Sequence, residues 1–272
     1  MTKIDYTRIS RQVRETLIKM AYGAGNIGTH IGGSLSAVEI LAALYMGVMN
    51  ISKGGLTSET RDRFILSKGH AAMCQFAVMH QKGIVTDEDI ATFKQNGSLF
   101  HAHPVINAER GIEFSGGSLG QGLSLAVGTA LGLKLKKNDT SSIFVLLGDG
   151  ECNEGAVWEA AMSAAHYKLG NITAIIDVNR LQLDDFTERV MSLGELEQKF
   201  SGFGWRTTVC DGHSVDELIA ALSSEHSEQP YCVLANTVKG KGVSFMENVA
   251  SWHNNRLSKS QYAQALSEVG GI

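Results

Sequence analysis

Ile143-Phe144-Val145-Leu146-Leu147-Gly148-Asp149-Gly150 and, after an intervening segment, Ile172-Thr173-Ala174-Ile175-Ile176-Asp177-Val178-Asn179 decide how this chain folds. Each is an apolar run that ends on a polar side chain, too short for a buried helix and continuous enough for a strand covered on both faces. Between them, Ala156 to Leu169 carries apolar residues at helical spacing, so the three segments form a βαβ unit and imply a parallel sheet. Working outward, Phe64 to Leu66, Trp205 to Cys210 and Tyr231 to Asn236 read as further strands. Tyr6 to Ala24, Ala71 to Gln81, Leu119 to Lys136 and Val215 to Leu222 read as helices. Ser36 with Glu39, Thr86 with Asp89 and Ser214 with Glu217 have the spacing of helix-capping boxes, while Phe100 to Gly117 has no clear period. The expected fold class is α/β: a parallel sheet with helices on both faces and ligands in the crevice beyond the strand C-terminal ends. Neither repeat nor linker interrupts the chain, so residues 1–272 are expected to form a single domain.

The chain has 272 residues, 43% hydrophobic and 19% charged, which is enough apolar material for a substantial core. Lys and Arg number 24 against 28 acids, so no basic surplus exists for non-specific binding to nucleic acid or an anionic membrane. The four cysteines form no CxxC pair, which argues against a zinc site or a disulfide framework. The N-terminus is charged and lacks an apolar signal core, and a reduced, cytoplasmic setting is expected.

Chemistry concentrates where the deciding strands end. Asp149, flanked by glycines, and Asn179, thirty residues on, fall at the ends of neighbouring strands and can point at one ion. A carboxylate, an amide oxygen and nearby carbonyls are hard ligands for Mg²⁺ or Ca²⁺, and an incomplete protein set leaves room for phosphate oxygens. Gly150 lets a backbone N–H approach such a phosphate. A simple tight turn accounts equally well for Gly-Asp-Gly taken alone. His30, His70, His103 and His253 each sit near a loop or helix start, and each taken singly reads as well as a packed or surface residue.

Thr29-His30-Ile31-Gly32-Gly33-Ser34-Leu35-Ser36, Arg61 to His70, Gly117 to Gly122, Gly148 to Gly155 with Trp158-Glu159-Ala160, Asn179-Arg180-Leu181, Asp211-Gly212-His213 and Trp252-His253 together resemble the N-terminal, cofactor-diphosphate-binding half of transketolase. The likeness is strongest to the separate N-terminal subunit of split transketolases. It implies a thiamine diphosphate-binding fold, with Asp149, Asn179 and the Leu181 carbonyl as metal ligands and Gly150 as a backbone donor. Gly117, Ser118 and Leu119 match the loop that approaches the cofactor rings, and His70 and His253 match histidines that contact its diphosphate. His30, His103 and again His253 match the groups that bind donor hydroxyls and shuttle protons. Glu154 matches an acid linking paired cofactor sites, although a solvated carboxylate at a helix start explains it equally.

Three positions depart from the family pattern. Thr29 and Ala102 replace glycines, which puts the donor preference in question, and Asp185 replaces a glycine after the metal loop. The resemblance further implies that the pyrimidine-binding domain, with the carboxylate that activates the cofactor and the apolar slot around it, lies on a second chain. The function expected is transfer of a two-carbon ketol unit from a ketose phosphate to an aldose phosphate, by a complex with two copies of each subunit. An apolar docking patch is expected around Leu119 and Leu181. Alternatives from the same reading are the cofactor-binding subunit of a 2-oxoacid dehydrogenase or a deoxyxylulose phosphate synthase-like enzyme, and a non-catalytic metal and diphosphate-binding module.

Overall fold

The computed structural model describes residues 4–223 and 226–271. Its centre is a five-stranded parallel sheet of β1 (Arg63–Leu66), β2 (Ile143–Gly148), β3 (Ile172–Val178), β6 (Arg206–Asp211) and β7 (Tyr231–Asn236), with a short antiparallel hairpin, β4 (Leu181–Gln182) and β5 (Asp185–Phe186), beside it. The order across the large sheet is β1-β2-β3-β7-β6. The helices are α1 (Tyr6–Gly23), α2 (Gly32–Leu35), α3 (Val38–Ala43), α4 (Ala72–Gln81), α5 (Asp87–Ala91), α6 (Gln121–Leu135), α7 (Gly155–His166), α8 (Thr187–Met191), α9 (Leu196–Gly202), α10 (Val215–Leu222) and α11 (Lys259–Gly270).

The period-two alternation of a strand divides the core into two layers. On β2, Phe144 and Leu146 join the layer built with α1, α3, α4 and α10, whereas Ile143, Val145 and Leu147 join the layer built with α6, α7 and α9. Ile175 of β3 and Val233 and Ala235 of β7 follow the first set, and Ile172, Ala174, Ile176, Cys232 and Leu234 the second. Handedness explains which helix covers which face. The steps β2 to β3 and β3 to β6 run in one direction, and their helices α7 and α9 lie in one layer; the step β6 to β7 runs back, so α10 lies in the other. All five strand C-termini therefore open at one edge, which gathers Ser67 to His70, Asp149, Asn179, His213 and Thr237 to Lys239.

Helix starts test the capping expectations. Thr86 and Asp89 form the full reciprocal box. Ser214 caps the Glu217 N–H, but the Glu217 carboxylate accepts from Asp211 instead of Ser214, so only half the box forms. The Ser36–Glu39 box is absent. Residues 31–36 are already helical, which leaves Ser36 without the extended conformation a cap needs; its hydroxyl donates to Asp177 (2.6 Å), and Glu39 turns to Arg14 and His213. No helix among the described residues is long and apolar enough to cross a membrane.

Candidate functional site

At the end of β2, Asp149 is 3% exposed, and its two carboxylate oxygens accept from Gly150 N (2.8 Å) and Arg180 N (2.6 Å). The second bond depends on Arg180 taking a left-handed conformation (φ 61°), a cost concentrated at this loop. Burial, and then the neighbouring Asp177 charge, push the Asp149 carboxyl up to about 6. A buried carboxylate with raised pKa and spare lone pairs is the environment that a bound cation relieves. Asn179 Oδ1 accepts from Leu181 N (3.1 Å), and the Leu181 carbonyl faces Lys239 Nζ (3.0 Å); the Arg180 bond to Asp149 joins this loop after β3 to the one after β2. Among the described residues no three His, Cys, Asp or Glu side chains converge on a metal position. The set is one carboxylate, one amide and one carbonyl, which suits an oxygen-seeking Mg²⁺ that takes its remaining ligands from phosphate and water. The Gly150 N–H expected to face a phosphate is here engaged by Asp149.

The four histidines read individually from the sequence meet in one cluster. His30 lies 5.8 Å from His70, 5.4 Å from His103 and 5.3 Å from His253, centroid to centroid, and His70 lies 5.2 Å from His253. All four are held neutral. Burial and then His103, Lys94 and Lys239 lower His30 to about 4; burial and then Lys239 and His30 lower His253 to about 3. His70 is pushed well below its ordinary value by burial and Lys68, and His103 is lowered by burial and Lys94. Local backbone sets these positions. A Cβ on Gly33 would come within 3.1 Å of His70 Nε2, and Thr29 exchanges backbone hydrogen bonds with Asn255, which ties the His30 loop to the segment carrying His253.

Gly117 and Ser118 are exposed, and Leu119 is half-buried on the loop before α6. That loop packs close to the turn after β1: a Cβ on Gly69 would sit 3.0 Å from Gly117 N, and one on Gly122 would sit 2.4 Å from Ser67 Cβ. Glu151, which sequence reading passed over, explains the register. Buried, it accepts from Gly120 N (2.8 Å), Gly148 N (3.0 Å) and Ser67 Oγ, so one carboxylate joins the ends of β1 and β2 to the loop before α6. Glu154 is exposed and packs its stem against Gly120. The docking patch needs correction: Leu181 is only 4% exposed, because its side chain turns into the protein, and the exposed apolar groups are its neighbours Leu183 (57%), Phe186 (42%), Val190 (48%) and Met191 (63%).

Sequence reading also missed the charged floor of the crevice. Lys68 and Asp177 form a fully buried ion pair, and Asp177 further accepts from Ser36, Thr237 and Asn179 Nδ2 (3.3 Å). Burial pushes Asp177 up, but Lys68 and the two hydroxyls outweigh it and leave the carboxyl below its ordinary value. Lys239, 2% exposed, bonds His253 Nδ1 (3.1 Å) as well as Leu181 O; burial and then Lys68 lower it to about 8. Its loop is held by His213, whose Nε2 accepts from Val238 N (2.9 Å) while Nδ1 donates to Glu39 (2.9 Å). The signal available in sequence was a charged residue within or just past the end of an apolar strand, as for Asp177 and Lys239. Of the departures, Thr29 is buried with its hydroxyl unpartnered among the described residues, Ala102 is half-buried, and Asp185 pairs with Arg189 (3.4 Å) at the surface.

Comparison with known proteins agrees with this geometry. The profile "Transketolase, thiamine diphosphate binding domain" matches residues 16–271. The chain is 39% identical to an apulose-4-phosphate transketolase subunit of Phocaeicola vulgatus, over 96% of this chain and 92% of that one. It is 38% identical to a 6-deoxy-6-sulfo-D-fructose transketolase subunit of a Clostridium species, over 90% of each. Human transketolase is 35% identical over 96% of this chain, which spans 41% of that protein. The structure of Pichia stipitis transketolase in complex with sedoheptulose 7-phosphate superposes with a TM-score of 0.89 at 25% identity, covering 97% of this chain and 40% of that one. The chain belongs to the transketolase family, in which it corresponds to the thiamine diphosphate-binding domain.

Proposed function

We propose that this chain is the cofactor-binding subunit of a two-subunit transketolase that moves a two-carbon ketol unit from a ketose phosphate to an aldose phosphate. The observation that carries the reading is four neutral histidines gathered beside an Asp149–Asn179–Leu181 oxygen loop at the strand ends. In this reading Asp149, Asn179 and the Leu181 carbonyl hold Mg²⁺ or Ca²⁺, and Lys239, His70, His253 and the Gly150 backbone face the cofactor diphosphate. Gly117, Ser118 and Leu119 bring backbone up to its rings. When bound, thiamine diphosphate supplies the nucleophilic carbon and the electron sink for breaking and making the carbon–carbon bond.

His30, His103 and His253 bind the donor hydroxyls. Each neutral ring offers one donor and one acceptor nitrogen, so the cluster can take a hydroxyl in either sense and pass its proton between rings. Several relatives of similar length are themselves named as transketolase subunits, which supports a partner chain. We assign that partner the pyrimidine-binding domain and place Glu154 near the contact between two copies of the pair. Residues 1–272 then act as one domain. Four buried free cysteines fit a reducing, cytoplasmic setting. The relatives' names favour a transketolase over a 2-oxoacid dehydrogenase component.

The test is reconstitution. Purified chain with Mg²⁺ and thiamine diphosphate should give no ketol transfer, and addition of the second subunit should give a larger, active species on size exclusion. The donor panel should include phosphorylated, branched and sulfonated ketoses. Robust turnover by the isolated chain would contradict the half-site reading.

A further inference from the structure

Asp211-Gly212-His213 is among the stretches that resemble the family, yet the ketol-transfer reading gives it no task. The three residues end β6, the edge of the sheet opposite β1, and His213 is not one of the clustered rings. Their turn is pressed onto the end of β7. Gly212 N donates to the Asn236 carbonyl (2.8 Å), and a Cβ on Gly212 would overlap Thr237 Cγ2. His213 N donates to the Asp211 carboxylate (2.8 Å), which fixes where the imidazole leaves the turn.

The loop after β7 is gripped on both sides of Lys239. On one side Val238 N donates to His213 Nε2 (2.9 Å); on the other the Lys241 carbonyl accepts from Arg14 Nε (3.1 Å). Both grips converge on Glu39, whose carboxylate accepts from Arg14 Nη1 (2.5 Å), Arg14 Nη2 (2.8 Å) and His213 Nδ1 (2.9 Å). Arg14 on α1 and Glu39 on α3 are both buried, and a bidentate pair of this kind holds its geometry. The carboxylate also chooses the tautomer. It keeps the imidazole proton on Nδ1, so Nε2 is left as the acceptor that a backbone N–H requires; the other tautomer would set one N–H against another. Lys239 depends on such anchorage, because its ammonium sits on a flexible four-carbon stem and bridges the Leu181 carbonyl (3.0 Å) and His253 Nδ1 (3.1 Å). A shift of Val238 would therefore disturb the link between the metal-type loop and the histidines.

We infer that His213 is a positioning residue for the cofactor site: oriented by the Arg14–Glu39 pair, it clamps the Val238 N–H and so sets Lys239 between the metal-type loop and the histidine cluster. The inference rests on the reading that places Lys239 at the cofactor diphosphate. It adds to that reading a support drawn from α1, α3 and the far edge of the sheet. Glu39 is not the position to probe, since its loss would leave Arg14 buried without a counter-charge and unsettle the fold.

The experiment measures the Kd for thiamine diphosphate with Mg²⁺ by calorimetry in the reconstituted two-subunit complex, for wild type, His213→Asn, His213→Gln and Lys239→Met. Denaturant unfolding and amide exchange at Val238 are followed in parallel. Each His213 variant keeps one of the ring's two bonds. The Asn amide stands where Nδ1 donates to Glu39 and leaves Val238 N without its acceptor, whereas the Gln carbonyl reaches the Nε2 position and retains it. His213→Asn is expected to raise Kd about tenfold or more, with faster exchange at Val238, while His213→Gln stays within about threefold of wild type. Equal increases in both variants that follow their loss of stability would show general loosening and overturn the inference, as would an unchanged Kd in His213→Asn. Should His213→Asn not fold, ring ¹⁵N NMR of the wild type decides: a proton on Nδ1 with Nε2 bare supports the clamp, and a proton on Nε2 overturns it. Lys239→Met should raise Kd at least as far as His213→Asn. An unchanged Kd there would instead refute the placement of Lys239 at the diphosphate, and the inference with it.

Discussion

At the inner end of the crevice Asp149, Asp177, Lys68 and Lys239 are buried and charged, whereas at the outer end His30 and His103 are half-buried and held neutral. Loss of water acts on both groups. The outcome differs because Lys68 and Asp177 pair with each other, Asp149 accepts two backbone N–H groups and Lys239 donates to a carbonyl, while the histidines have mainly one another and cations. An inner end of this kind is matched to a ligand that brings charge of its own. The outer end is matched to hydroxyls.

The comparison breaks most visibly at Asp149. Asp149→Ala should abolish Mg²⁺-dependent cofactor binding on calorimetry, because it is the only charged ligand of the set. The metal-free chain should also gain stability on mild acidification. The folded pKa of about 6 lies above the ordinary 3.8, so the ionised carboxyl costs stability above pH 6, and the cost fades as pH falls toward 3.8. Denaturant unfolding should show a gain on the order of 2 kcal/mol from this group between pH 7.5 and pH 4, most of it below pH 6.

Asp177 should behave in the opposite way, since its carboxylate is compensated. Asp177→Ala leaves Lys68 buried without a counter-charge and is expected to destabilise the fold by about 3–5 kcal/mol at neutral pH. A loss below about 1 kcal/mol would mean that the inner end is not a charge-balanced floor.

At the outer end the effects should appear in rate and not in stability. His30→Ala is expected to lower kcat/KM about 10²-fold with cofactor affinity unchanged, while His253→Ala, which contacts Lys239, lowers both. With His30 at about 4 and His253 at about 3, neither ring charges between pH 6 and 8, so kcat/KM should show no break from this pair in that range. A break near pH 6.5 that vanishes in His30→Gln would show that the neutral rim is misread.

The smallest effect is expected at Asp185, whose ion pair with Arg189 is at the surface and spaced i, i+4. Asp185→Ala should change stability by less than about 0.5 kcal/mol and cofactor affinity by less than about twofold. A larger change in affinity would extend the charged inner end to the β4–β5 hairpin.

Legibility in the sequence followed the range of the signal. The deciding strands were readable because apolar runs and their helical connection are local patterns, and β2 and β3 lie where those runs placed them. Asp149 and Asn179 were readable as polar ends of neighbouring strands, and the Arg180 N–H beside Asn179 does bond Asp149. Ser36 was misread because a capping box describes only four residues, whereas its hydroxyl is claimed by Asp177, 141 residues away. Leu181 was expected at the surface and is buried, since a two-residue strand has too little pattern to tell inside from outside.

By itself the sequence determined the alternation of strands and helices, the layering of the core and the loops at which polar residues stand, because periodicity and turn chemistry act within a few residues. The tertiary structure alone decided that Lys68 meets Asp177 across 109 residues, that four scattered histidines share one cluster, and that Lys94 bonds the Gly28 loop at its outer end. Charge and protonation there depend on separation and on exclusion of water, and both arise only when the strands are brought side by side.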